Sequence, residues 1–224
     1  MNDSSRARLL RAAERLFADR GFRNVTVREI CRAARANVAA VNYHFGDKLG
    51  LYRQVLQSAI DRMRATNEAA KQAGVGQPAE EQLRRYLSIF LHRLLSNSSD
   101  TVHRLITREL NDPTPVLDAM IEQGVRPRID YLSGLIATMT GLEPDDERVL
   151  RCVASIQTQS VAYLPNPIAQ RLGMPAVLTA EQIDAVARHV ADFSIAGIKA
   201  IARKNSFSVR VRVRGRARAG RSSR

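Results

Sequence analysis

Apolar residues recur along most of this chain at spacings of three and four, the period of helices with one buried face. Leu9, Leu10, Ala13, Leu16 and Phe17 mark the first such face, and Gly21 closes that helix. "TVRE", Thr26 to Glu29, is a capping box. Its Thr hydroxyl satisfies a first-turn N–H and its Glu reaches back to the cap. The short helix it opens carries Val27, Ile30, Cys31 and Ala34 on one side. Arg35 to Asn37 break the pattern, and Asn37 is a good N-cap for a third short helix bearing Val38, Val41 and Phe45. Gly46 ends it, and Asp47 caps the next.

That fourth helix is long, from about Lys48 to Ala73, with Leu51, Tyr52, Val55, Leu56, Ala59, Ile60 and Met63 as its buried stripe. At the α-helical rise it spans roughly 39 Å, enough to leave one domain and enter another. "GVGQP" (Gly74 to Pro78) is a loop, and helices follow at about 80–97 and 101–111. In "NDPTP" the pattern stops, with Thr114 as the next N-cap and Pro115 at the first helical position. Gly124 and Pro127 predict a kink in the helix of about 115–140. Another begins near Pro144, with Asp145, Asp146 and Glu147 at its positive end, and stops at the "PNP" of Pro165 to Pro167. A second capping box, "TAEQ" (Thr179 to Gln182), opens the last helix, which runs to about Arg203. No convincing strand precedes that point and there are no internal repeats. The fold class expected is all-α: an N-terminal three-helix domain over 1–48, joined by the long helix to a helical domain over 49–203.

At 224 residues the chain is long enough for one or two such domains with sizeable cores. It has no run of eighteen apolar residues, hence no membrane span or membrane partner, and its amphipathic start is unlike a signal peptide. Cys31 and Cys152 are far apart, with no metal-ligand spacing around them. They read as small buried hydrophobes in a reduced, cytoplasmic protein. No metal or other cofactor is implied.

Charge changes the picture more. The net charge of +13 is unevenly spread: residues 1–58 carry 11 Lys+Arg against 5 Asp+Glu, residues 59–202 carry 15 against 17, and residues 203–224 carry 9 against 0. A basic head and a basic tail flank a nearly neutral middle, and nucleic acid is the natural polyanion partner. The tail over 204–224 alternates Val with Arg, nominally a strand period, but arginines with no acidic partner favour disorder. It reads either as a solvated extension or as an arm for phosphates.

Three short helices, the second and third separated by about three residues, make a helix-turn-helix arrangement. The first two bury the inner side of the third, and its outer side is left for a major groove about 12 Å wide. Small residues there permit close approach, which suits Val38, Ala39 and Ala40. Asn42 can donate and accept at once, as adenine or a phosphate requires, and Tyr43 can bond a phosphate while its ring packs on sugar. Thr26 and Arg28 open the second helix, and Asn37 and Lys48 the third and fourth. Helix N-termini add their own attraction for phosphate.

The stretch "RLLRAAERLFADRGFRNVTVREICRAARANVAAVNYHFGDKLGLYRQVL" (Arg8 to Leu56) resembles the TetR family of bacterial transcriptional regulators. Its "AAERLFADRGF" helix, "TVREI" opening, "YHF" close and the Lys48, Leu51 and Tyr52 that follow carry the likeness. "NVAAVNYHFG", "TRELNDPTPVLDAM" and "SIQTQSVAY" resemble its CecR-like branch. The resemblance implies a homodimer on a near-palindromic double-stranded DNA operator, with Thr26, Arg28, Asn37, Val38, Ala39, Asn42, Tyr43 and Lys48 as contacts. It further implies a C-terminal domain that binds a small-molecule effector and dimerises through its last two long helices. The stripe Ile183, Val186, Ala187, Val190, Ala191, Ile198 and Ile201 suits such pairing or a plain core. In two places the chain departs from the family. Arg35 stands in the turn where Gly is usual, so either that residue takes a strained conformation or the turn differs. Asn42 replaces a common Tyr.

The effector pocket is placed at Phe90, His103, Met120, Tyr131, Gln157 and Tyr163, residues that ordinary core packing would also explain. An enzyme is disfavoured by the lack of a Gly-rich phosphate loop, a His-x-x-x-His pair, a G-x-S-x-G elbow or carboxylates clustered with a His. A constitutive architectural nucleic-acid binder is the other alternative, although it has no use for a neutral middle of this size. The expected function is that of a ligand-responsive repressor released from its operator by an effector.

Overall fold

The computed structural model describes residues 4–96, 100–173, 175 and 177–219, without the side chains of residues 100, 167, 169 and 204–219. Its helices are α1 (Ser5–Arg20), α2 (Val27–Ala34), α3 (Val38–Phe45), α4 (Lys48–Gln72), α5 (Ala79–Leu95), α6 (Asp100–Asn111), α7 (Leu117–Met120), α8 (Arg126–Thr140), α9 (Glu147–Ala162), α10 (Pro167–Arg171) and α11 (Ala180–Ala219). No strand occurs among the described residues. By density of contacts the chain divides into two compact units. The first is 1–68 with 93–127, and the second is 69–92 with 128–224.

The first unit owes its geometry to side-chain caps. The Ser4 hydroxyl accepts the Ala7 amide at 3.3 Å, and Thr26 and Glu29 close the expected capping box of α2. Asn37 Oδ1 accepts the Ala39 amide at 3.1 Å, and Asp47 Oδ1 the Gly50 amide at 2.6 Å. Each short helix thus starts at a defined residue, because a donor left bare by the first turn finds an acceptor there. Leu9, Ala13, Phe17, Val25, Ile30, Val41, Leu51, Tyr52 and Leu56 fill the core that these helices share with Leu105 of α6. Tyr52 sits edge-on to Phe17 with ring centroids 4.9 Å apart, and its hydroxyl donates to the fully buried Glu109 of α6 at 2.6 Å. The other Glu109 oxygen accepts from the Thr114 amide and hydroxyl, at 2.8 and 2.7 Å. Arg104 of α6 pairs with Asp19 at the end of α1.

The kink expected at Gly124 and Pro127 takes the form of a π turn, Ile121–Val125, between α7 and α8. Proline lacks an amide proton and its ring crowds the carbonyl four residues back; a wider turn relieves both. Thr114 accepts the Val116 amide at 3.2 Å, but the first helical residue is Leu117, so it stands in the preceding turn rather than at the cap.

In the second unit Leu83, Tyr86, Leu87, Leu91, Leu132, Ile136, Val149, Val153, Ile156, Ile183, Val190, Ile195 and Ile198 make the core. The Thr179–Gln182 box forms as expected, with bonds of 2.9 and 3.2 Å. Lys199 of α11 bonds Glu80 of α5 at 2.6 Å, and His92 bonds Asp184 at 2.7 Å. The sequence pattern gave no sign of α10. Helix α11, expected to end near Arg203, carries on to Ala219, since no Pro follows Arg203 to stop it. The disorder expected of the tail concerns residues 204–224, whose side chains lie outside the described residues.

Candidate nucleic-acid interface and effector region

The eight-residue α3 has two unlike sides. Val41 is fully buried, and Ala40 and Phe45 pack against the core beside it. On the other side Val38, Ala39, Asn42 and Tyr43 are exposed, Tyr43 by 85%. The Tyr43 ring meets the His44 ring edge-on, centroids 4.9 Å apart, and otherwise stands in solvent. It is free to meet a partner.

Not all the expected contacts are equally available. Arg28 is exposed and has no hydrogen bond or ion pair among the described residues. Thr26 is already engaged: its hydroxyl donates to Glu29 at 2.7 Å and accepts the Glu29 amide. Glu29 also takes the Thr26 amide at 2.8 Å and pairs with Arg20 at 2.9 Å. The Thr26 amide first, then its hydroxyl and Arg20, hold that carboxyl down at about 2. The positive end of α2 therefore already holds an anion. Lys48 is half-buried, its ammonium 4.4 Å from the centre of the Phe22 ring, and burial lowers its pKa while Glu29 acts the other way. Asn37 spends its side-chain oxygen on capping and keeps its amide donors exposed.

Arg35 settles the question raised by the missing glycine. It is left-handed, φ 49° and ψ 52°, and no other non-glycine among the described residues has positive φ. Its amide bonds the Arg32 carbonyl at 3.3 Å and the Ala36 amide bonds Cys31 at 2.9 Å, the paired bonds of a Schellman ending. The turn keeps the glycine geometry with an arginine in it, and the exposed guanidinium has no partner among the described residues.

The six residues expected to line an effector pocket fall in both units. Met120 is buried and His103 half-buried in the first, where His103 Nε2 lies 3.4 Å from the Thr107 hydroxyl. In the second, Phe90 and Tyr131 are drawn together around Tyr86, whose ring centroid lies 6.1 and 5.1 Å from theirs. Gln157 and Tyr163 are half-buried, with no hydrogen bond or ring contact among the described residues. None of the six lines either of two grooves on the second unit. One groove, about 300 Å³, lies between α5 and α11 among Glu81, Arg84, Arg85, Asp184 and Arg188. The other, about 190 Å³, lies between α9 and α11 and includes Cys152, Gln159, Phe193 and Gly197. Tyr86 and Arg128 join this aromatic group, although the sequence reading did not place them there. A signal existed, since Tyr86 stands four residues before Phe90 and Arg128 three before Tyr131, on the same helical faces.

Among the described residues no three His, Cys, Asp or Glu gather where they could hold a metal ion, and no helix is long and apolar enough to cross a membrane. What the molecule has is a three-helix head whose last helix offers a small-residue face and a free tyrosine, followed by an all-helical region. This is the build of a helix-turn-helix, DNA-binding transcriptional regulator. Residues 9–55 match the bacterial regulatory proteins of the tetR family, and residues 79–198 match the C-terminal domain of the HTH-type transcriptional dual regulator CecR. The chain belongs to the TetR family, in the group with the CecR type of C-terminal domain. It is 28% identical to the HTH-type transcriptional dual regulator CecR of Shigella flexneri over 79% of each chain. Among solved structures, a TetR-like transcriptional regulator from Rhodococcus sp. RHA1 superposes with a TM-score of 0.64, at 18% identity over 88% of this chain and 98% of the other. AibR, solved in complex with isovaleryl coenzyme A and operator DNA, gives 0.62 at 20% identity over 86% and 96%.

Proposed function

We propose that the protein is a homodimeric, cytoplasmic repressor that leaves a near-palindromic operator when a small molecule binds its C-terminal region. The observation that carries this is the outward face of α3, where Tyr43 stands 85% exposed beside Val38 and Ala39. Arg28, Asn42 and the Asn37 amide extend that face, and Tyr43 is the phosphate anchor. The guanidinium of Arg35 joins the phosphate contacts. Lys48, over the Phe22 ring, serves first to hold the start of α4.

The dimer reading is supported by an apolar face on α9 and α11 that a lone chain leaves in water. Leu150 is 43% exposed and Phe193 64%, and Ala154, Ala196, Gly197 and Ala200 around them are exposed too. Small residues flanking one large aromatic suit close helix pairing between two copies. In that dimer the two α3 helices reach successive major grooves, about 34–36 Å apart. An effector that favours another tilt of α4 shifts the population away from that spacing. AibR, with both a coenzyme A thioester and operator DNA in its structure, is a precedent for the two binding events in one fold.

Footprinting upstream of its own gene tests the DNA reading. The wild type should protect one discrete site, and Tyr43→Ala should abolish protection at unchanged melting temperature. Uniform coverage of random DNA that survives the substitution would instead make the protein an architectural binder.

A further inference from the structure

Along α5, Gln82, Tyr86 and Phe90 lie at intervals of four and share one face; on α8, Arg128 and Tyr131 share another. Both groups belong to the second unit, and their contacts run antiparallel. The Tyr131 hydroxyl donates to Gln82 Oε1 at 3.3 Å, the Tyr131 and Tyr86 rings are 5.1 Å apart, and the Arg128 guanidinium lies 4.8 Å from the centre of Phe90. Tyr86 is fully buried, and Arg128 is half-buried beside it.

Arg128 is the odd member. A guanidinium carries five N–H donors and no acceptor, and it stays charged in proteins. Here no hydrogen bond or ion pair engages it among the described residues, and the guanidinium lies over the ring of Phe90. A ring face restores only part of the lost hydration, and a cation taken out of water without an anion is destabilising. Burial lowers its pKa, with Tyr86 offsetting part of the effect. Other arginines of this unit show what is missing. Arg84 pairs with Asp192, Arg85 with Glu81 at 2.8 Å and Arg148 with Asp146 at 2.7 Å. The residue as a whole keeps part of its surface in solvent.

We infer that Arg128 is the anion-recognition residue of the effector site, and that the effector is an amphipathic small molecule whose carboxylate or phosphate meets the Arg128 guanidinium while its apolar body lies against Tyr86, Phe90 and Tyr131. Two parallel N–H donors of the guanidinium fit two oxygens of either group. The rings supply an apolar wall, with the Lys71 ammonium 5.5 Å from the centre of the Tyr131 ring, and the Tyr131 hydroxyl, loosely held by Gln82 at 3.3 Å, is a second donor close by. This rests on the reading of the C-terminal region as effector-binding.

The test uses the full chain and three probes with one eight-carbon tail: octanoate, octyl phosphate and octan-1-ol. Calorimetric titration should show one or both anions binding the wild type at least tenfold more tightly than the alcohol. Arg128→Gln should remove that advantage, a loss of about 1.4 kcal/mol per tenfold, and Arg128→Lys should retain part of it. The stronger of the two anions identifies the headgroup. Without probes, Arg128→Met should melt at or above the wild type, because no hydrogen bond or ion pair is lost and the methionine can still pack on Phe90. Equal binding of alcohol and anions, anion binding unchanged in Arg128→Gln, no binding of any probe, or a clear drop in the melting temperature of Arg128→Met would each overturn the inference. Operator affinity is measured alongside. If an anion binds through Arg128 and leaves operator affinity unchanged, the anion site stands and the effector-released repressor does not. If an anion releases DNA equally from wild type and Arg128→Gln, ligand response stands and the anion site does not.

Discussion

Replacing Arg35 by glycine should stabilise the head, although it removes a side chain and adds no contact. Arg35 is held at φ 49° and ψ 52° because the α2–α3 turn must reverse there, and its side chain forms no bond that the change would break. Holding an L-residue in the left-handed region costs about 1–2 kcal/mol, and glycine escapes that cost. Glycine also loosens the unfolded chain, which takes back about 0.4–1 kcal/mol. The difference leaves a net gain of about 0.5–1 kcal/mol. At about 2–4 °C per kcal/mol for a chain of this size, the melting temperature should rise by roughly 1–4 °C. Arg35→Asn should fall between the two, since asparagine tolerates this region better than arginine. Ala33→Gly, two residues earlier within α2, supplies the contrast: there glycine should lower stability by about 0.5–1 kcal/mol. Scanning calorimetry reads all four proteins. If Arg35→Gly melts at or below the wild type, the strain argument is wrong. Operator titration in rising salt should at the same time show Arg35→Gly losing up to about 0.9 log unit of slope if the guanidinium neutralises one phosphate.

Other perturbations probe other parts of the molecule. The Glu29 carboxyl sits at about 2 rather than the ordinary 4.5, so its share of stability is whole above the ordinary value and is lost as pH falls from 4.5 towards 2. Melting temperature should therefore drop more steeply in that window for the wild type than for Glu29→Gln; parallel curves would refute the capping box as the cause. Tyr52→Phe keeps the ring against Phe17 and leaves Glu109 buried without its 2.6 Å donor, so urea unfolding should show a loss of about 1–3 kcal/mol. A change of less than about 0.5 kcal/mol would mean that water replaces the hydroxyl at no cost. Phe193→Glu should give a monomer by sedimentation at a concentration where the wild type is dimeric, and an unchanged dimer would move the interface off α9 and α11.

The parts legible in the sequence are those governed by neighbours a few residues away. Ser4 apart, the caps of the head were readable at Thr26, Asn37 and Asp47 because a cap is a contract between residues two or three positions apart. The strain at Arg35 was one of two options stated for the same local reason. The inward set of α3 followed from its period: Val41 is buried and Tyr43 exposed. What resisted was tertiary. Nothing near Glu29 in sequence says that its carboxylate also meets Arg20 and so holds the start of α2 against a second anion. Phe90 and Tyr131 are 41 positions apart, and only the packing of α5 on α8 brings their rings round Tyr86. Helix interruptions fell in between. Gly124 and Pro127 announced a disturbance, but nothing in the local pattern distinguishes a bend from a π turn.

That π turn also bears on how the family's chain lengths can drift. A helix that takes in one surplus residue as a wide turn keeps the faces before and after it aligned, whereas one extra residue in α3 would swing its outward face by about 100°. Residues 121–125 are therefore where an insertion or deletion of a single residue can pass without moving Arg128 off its face or Met120 out of the core. In alignments of relatives, single-residue gaps should collect there and stay out of residues 26–48. A register error in the C-terminal half of such an alignment would start at this turn.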